Sequence, residues 1–139
     1  MQSKVSPIAD AQSEEQAPAI GLLALREVKN ARGEFIDLSP LALLLSRIEA
    51  KYHPQQIWLF GSRARGDERR WSDWDLFVVV PDEVPESDFN PLVAWKLQRD
   101  SGVRADVIPC RVSEFREDRG TVNTICYEVA TDGVLLYER

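Results

Sequence analysis

The sequence predicts a mixed α/β (α+β) domain, a small mixed β-sheet with helices packed on it. Three observations lead there. From residue 39 onward, helical and strand periodicities follow one another as helix, strand, strand, helix, strand, helix. The run Leu76-Phe77-Val78-Val79-Val80 is unbroken and apolar, as in a strand buried on both faces. Of the 139 residues, 44% are hydrophobic. A domain of this size buries roughly 68–70% of its unfolded surface, so one core is within reach.

The elements follow in order. Residues 1 to about 18 are polar and rich in Ser, Gln, Ala and Pro, and are expected to form a mobile tail. Residues 19–30 have weak helical character, and 34–38 (EFIDL) alternate as a short extended piece. Residues 1–38 are therefore expected as an N-terminal extension and 39–139 as the domain. Ser39-Pro40 reads as an N-cap followed by proline at the first helical position. Leu41, Leu44, Leu45 and Ile48 recur at helical spacing to about Tyr52, and His53-Pro54 ends that helix. Gln56 to Phe60 reads as a strand stopped by Gly61, and Asp75 to Val80 as a second strand ended by Pro81-Asp82. Residues 88–100 are helical after Pro91 and closed by Ser101-Gly102. Val103 to Ile108 is a third strand with Arg104, Asp106 and Ile108 on one face, ended by Pro109. A last helix over about 119–130 carries Val122, Ile125, Cys126 and Val129, and Val134 to Tyr137 adds an extended segment. Trp58 and Trp95 are expected in the core, with Trp71 and Trp74 near a site.

Charge and composition exclude several function classes. A net charge of −6 argues against non-specific nucleic-acid binding, although Arg63, Arg65, Arg69 and Arg70 make a local basic patch. Cys110 and Cys126 show no zinc-ligand spacing, and the single His53 leaves no histidine-based triad. No apolar run approaches the roughly 18 residues of a membrane span. Residues 1–18 lack the apolar segment of a signal peptide. A cytoplasmic protein with reduced thiols, no membrane contact and no direct nucleic-acid contact is the expectation.

The chemistry concentrates in FGSRARGDERRWSDWDLFVVV, residues 60–80. Asp73 and Asp75 sit at i and i+2, on one face of a strand and roughly 6.5–7 Å apart. Two carboxylates so placed repel unless a cation lies between them, and carboxylate oxygens suit Mg²⁺. Asp106, on another strand, is in phase to join them, and three acids have room for two ions about 3.5–4 Å apart. A solvated strand-end turn is the plain alternative for Asp73 and Asp75, and a surface pair with Arg104 is the plain alternative for Asp106. Gly61-Ser62 lets backbone approach a ligand closely, and its N–H groups with the Ser62 hydroxyl can cradle phosphate. Arg63 and Arg65 suit either bidentate phosphate contacts or an exposed turn.

These residues resemble a known signature. A hydrophobic strand, Gly61-Ser62, about ten residues, Asp73-x-Asp75 and a second hydrophobic strand look like the minimal nucleotidyltransferases of the polymerase-β-like superfamily, in the GSxARG and SDxDL wording of their small prokaryotic branch. The resemblance covers about residues 40–138. It implies a polymerase-β-like palm fold, Asp73, Asp75 and Asp106 as catalytic metal ligands, and Gly61, Ser62, Arg63 and Arg65 at the nucleotide phosphates. It implies Mg²⁺-dependent transfer of AMP from ATP to a hydroxyl. It further implies an antitoxin that adenylylates a tyrosine of a partner HEPN ribonuclease toxin in a hetero-oligomer. Two other readings stand beside it: a non-catalytic antitoxin acting by contact, and a small-molecule (antibiotic) nucleotidyltransferase, which usually needs a further domain.

Overall fold

The computed structural model describes residues 27–139. The expected tail and most of the 19–30 segment lie outside the described residues. Of that segment, Val28–Lys29 is strand β1, paired antiparallel with β2, Phe35–Ile36, rather than helix. The β-branched Val28 and the turn around Gly33, at φ 79, favour the hairpin. The Ala31 N–H donates to the Ala64 carbonyl at 2.8 Å, which ties the hairpin to the domain. Leu38, assigned by the sequence to the extension, is buried in the core.

The domain is a four-stranded mixed sheet with helices on both faces. After a 3-10 turn at Ser39–Leu41 comes α1, Ala42–Tyr52, which buries Leu44, Leu45, Ile48 and Tyr52. Ser39 is the first residue of this turn and not its cap, and the Asp37 carboxylate before it accepts from the Ser39 N–H at 3.0 Å and the Ser39 hydroxyl at 2.7 Å. The next elements are β3, Gln56–Phe60, the short α2, Ser62–Arg65, and β4, Trp74–Val80. Then follow α3, Pro91–Gln98, β5, Ala105–Arg111, α4, Val112–Asp118, α5, Ile125–Asp132, and β6, Val134–Glu138. The strand order is β5-β4-β3-β6, with β3 antiparallel to both neighbours and β4 parallel to β5.

Central β4 is buried on both faces, as its apolar run predicts. Trp74, Leu76, Val78 and Val80 face the layer of α1 and α3, whereas Phe77 and Val79 face α4 and α5. Cys110 and Cys126 are free buried thiols 3.9 Å apart in that second layer.

Three local expectations are corrected. Strand β5 does not stop at Pro109 but runs on to Arg111. It is an edge strand, and the Trp74 N–H donating to the Arg104 carbonyl sets an alternation that turns residues 105, 107 and 109 outward. A missing N–H at an outward position breaks no ladder bond. Helix α4 was not anticipated, because VSEFRED has Phe115 as its one large apolar anchor, at 2% exposure. The last helix starts at Ile125, later than expected, where the Thr124 hydroxyl accepts from the Tyr127 N–H. Among the described residues, no helix is long and apolar enough to cross a membrane.

Candidate active site

The sequence-predicted residues meet at one end of the sheet, where β3 ends and β4 and β5 begin. Asp75 is the second residue of β4 and lies opposite Phe60, the last residue of β3, and beside Asp106 of β5. Register partners in a parallel pair point to the same face, so Asp75 and Asp106 project together from strands roughly 4.8 Å apart. Asp73, two residues before Asp75, precedes the strand and is half exposed.

Gly61 explains how the acid fits. Its φ is 76 and ψ −156, a region reached essentially by glycine alone. A Cβ built there would lie 2.1 Å from Oδ2 of Asp75, so the carboxylate is pressed against the bare Cα. Local chain reversal and close approach therefore demand the same glycine. Directly after it, α2 begins at Ser62, and its first N–H groups have no intrahelical acceptor. The Gly61-Ser62 turn, the expected phosphate cradle, and the Asp75 carboxylate are thus adjacent.

The electrostatics of Asp75 follow from this crowding. Burial, then the charges of Asp106 and Asp73, push its carboxyl above the usual carboxylate range, and the Arg65 guanidinium partly offsets them. A half-buried carboxylate among like charges would be stabilised by a nearby cation. The donor set, three carboxylates, fits a hard divalent ion such as Mg²⁺. Among the described residues, however, no three acids already converge at ion-binding distance. Asp73 is turned instead toward Arg104, whose Nη2 lies 2.9 Å and Nε 3.0 Å from its Oδ1. Arg104, the alternative partner for Asp106 in the sequence, pairs with Asp73.

The arginines divide. Arg65 is exposed, ion-paired with Asp67 at 3.1 Å, and near enough to Asp75 to stabilise its charge. Arg63 points elsewhere. Its Nε and Nη2 donate to the Ser72 carbonyl at 3.2 and 2.8 Å, and its guanidinium lies 4.3 Å from the Trp74 ring centroid. Arg63 therefore clamps the loop that delivers Asp73 and takes no phosphate-facing position. We expect Arg63→Ala to cost about 2 kcal/mol, the scale of a charged hydrogen bond plus a cation–π contact. Arg63→Lys should recover only part, because an ammonium lacks the planar fork. Chemical denaturation checks both; an Arg63→Ala midpoint equal to the parent's would refute the clamp.

Two tryptophans exchange the places expected of them. Trp74 is core, at 7% exposure, whereas Trp95 is 49% exposed. Trp95, with Phe89, Pro91, Ala94, Gln98 and Pro109, lines a cavity of about 400 Å³ between α3 and β5, and Asp106 is among the β5 residues along its wall. Nothing in the sequence marks this cavity, because it forms from two segments brought together only by the parallel β4–β5 pairing.

The family model described as a nucleotidyltransferase domain matches residues 41–126, more than half of the chain. No curated protein matches. Among solved structures, a chain from a crystal structure of a toxin–antitoxin with AMP-PNP is similar in fold, with a TM-score of 0.51 and 24% identity over 69% of this chain and 71% of that one.

Proposed function

The chain belongs to the nucleotidyltransferase domain family, and from that premise we propose that it transfers AMP from ATP to a hydroxyl of a partner protein, as the antitoxin of a toxin–antitoxin pair. One observation carries the reading: Asp75 lies in register with Asp106 while its carboxylate packs against Gly61. In this reading a cation site and an anion cradle lie side by side. A metal-bound nucleoside triphosphate needs both.

In this reading the Gly61-Ser62 turn binds the leaving phosphates, and Asp73, Asp75 and Asp106 hold Mg²⁺, with room for two ions. When bound, the metal would neutralise charge developing on the transferred phosphoryl group. Asp106 faces the acceptor. The acceptor oxygen forms a bond to the α-phosphorus as the bond from that phosphorus to the bridging oxygen breaks. The hydroxyl proton passes to Asp106, and pyrophosphate leaves. Arg65 lies beside the site and adds positive charge. The cavity of Trp95 and Phe89 along β5, with Asp106 in its wall, is apolar and aromatic, which suits a tyrosine as the acceptor. A HEPN toxin remains the proposed partner; the neighbour's toxin–antitoxin assembly and its AMP-PNP support the toxin partner and the ATP.

A second reading has its own observation. The Arg104–Asp73 pair occupies one of the three acids, which favours an antitoxin acting by contact alone. One experiment separates the two. The chain, a partner toxin, Mg²⁺ and α-labelled ATP are mixed, and label on protein is followed. Transfer to the toxin, lost in Asp73→Ala and Asp75→Ala, is expected. Absence of label, with the toxin neutralised equally by both variants, would establish the contact reading instead. Label found only on an added small molecule would point to a small-molecule enzyme.

A further inference from the structure

The loop between α2 and β4 builds a second concavity beside the acid cluster. Arg63, Arg70, Trp71, Ser72, Trp74 and Arg104 line a cavity of about 270 Å³. Three of these six are arginines and none is an acid, in a chain whose net charge is −6. Gathered guanidiniums repel, so something must hold them. Arg63 is fixed by the Ser72 carbonyl and the Trp74 face. Arg104 is fixed by Asp73 and by the Trp71 carbonyl, to which its Nη2 donates at 3.2 Å. Arg70 is exposed, and the ion pairs among the described residues leave it out.

Trp71 gives the cavity its second character. It is 64% exposed, in a domain that buries Trp58 and Trp74. The Arg69 guanidinium lies 5.9 Å from its ring centroid. An open indole face offers stacking to a planar ring, and adjacent guanidiniums offer bidentate contacts to an anion. Base–aromatic stacking and arginine–phosphate pairing together recognise nucleotides.

We propose that this cavity is a binding subsite for a nucleoside monophosphate, separate from the Gly61-Ser62 cradle, with the base stacked on Trp71 and the phosphate held by Arg70 and Arg104. Guanidiniums supply the positive charge, so binding here requires no metal. The inference rests on the nucleotidyltransferase reading only for the choice of a nucleotide among aromatic anions.

The test uses the full chain in EDTA, titrated with AMP and followed by calorimetry and tryptophan fluorescence. AMP should bind, with adenosine and inorganic phosphate each weaker. Arg70→Ala and Trp71→Ala should each weaken AMP roughly tenfold, the scale of one lost stacking or charged contact. Both side chains are exposed, and circular dichroism checks that the variants fold. Asp75→Asn should keep AMP binding, and a magnesium-bound non-hydrolysable ATP analogue should leave it in place. No AMP binding in EDTA, or binding unchanged in both variants, would overturn the proposal. So would one-for-one displacement by the ATP analogue, or a single-stranded oligonucleotide binding where AMP does not. A chain that transfers label yet ignores AMP in EDTA loses this inference alone; one that binds AMP yet transfers no label loses the enzyme reading alone.

Discussion

Asp75→Asn is expected to lower nucleotidyl transfer roughly 10³-fold, the scale on which removing one group of electrostatic stabilisation acts, while raising the thermal stability of the metal-free protein at neutral pH. The two effects share a cause. Asp75 sits half buried against Gly61 and beside Asp106 and Asp73, and burial and these charges raise its carboxyl above the ordinary 3.8. The native state therefore holds that proton more tightly than the unfolded chain does. Stability falls as pH rises from 3.8 through the raised value, and above it the full cost of the buried charge is present. Asparagine keeps the shape and removes the charge. Its melting temperature should exceed the parent's at about pH 7, with the gap closing toward about pH 4 as the parent's Asp75 protonates. Scanning calorimetry across that range, alongside the label-transfer assay, reads both effects. A variant less stable than the parent at neutral pH would show that the carboxylate is not held at a cost, and retained transfer would remove Asp75 from the chemistry.

Gly61→Ala should damage fold and site together. Two penalties combine at this one residue. An L-residue at φ 76, ψ −156 is strained by about 1–3 kcal/mol. The new methyl would also meet the Asp75 carboxylate at 2.1 Å, so strand β4 or the turn must shift. A total loss of about 3 kcal/mol lowers the melting temperature by roughly 10 °C for a domain of this size. Transfer should fall as well, because the displaced group is Asp75 itself. A double-mutant cycle divides the penalties. In Gly61→Ala with Asp75→Ala, the nearest remaining side-chain atom at position 75 is Cβ, at 3.3 Å, so the severe clash shrinks to a tight contact and backbone strain dominates. Partial recovery of stability in the double variant is the expected result. Strict additivity of the two substitutions would show that Gly61 serves the turn alone and leaves Asp75 untouched.

Local rules made most of the sheet legible. Strand alternation puts Asp106 in phase to join Asp75, although Asp73 lies before the strand and turns to Arg104, and the double-sided burial of β4 is written in its unbroken apolar run. The leucines of α1 announce its core face by their spacing. Elements failed to be read where their stability comes from elsewhere. Helix α4 hangs on Phe115, which packs against Trp58 and Phe77 of the sheet, at 6.1 and 5.7 Å between ring centroids. Its own sequence is too polar to show an amphipathic stripe. Pro109 reads as a strand end because proline removes a donor, but an outward position on an edge strand needs none.

At the site, the sequence by itself determined the chemical parts: a glycine turn after a strand, two acids two residues apart, a third acid in phase on a later strand, and arginines between the turn and the first acid. Periodicity and turn chemistry act over a few residues, so they survive in a linear reading. Tertiary structure alone decided how the parts are used. The β4–β5 register sets Asp106 beside Asp75, and the β3–β4 register makes Gly61 the space that Asp75 fills. The same pairing delivers Arg104 to Asp73, turns Arg63 into a clamp, and exposes Trp95 while burying Trp74. Those assignments depend on contacts between segments distant in the chain, and no local pattern carries that information.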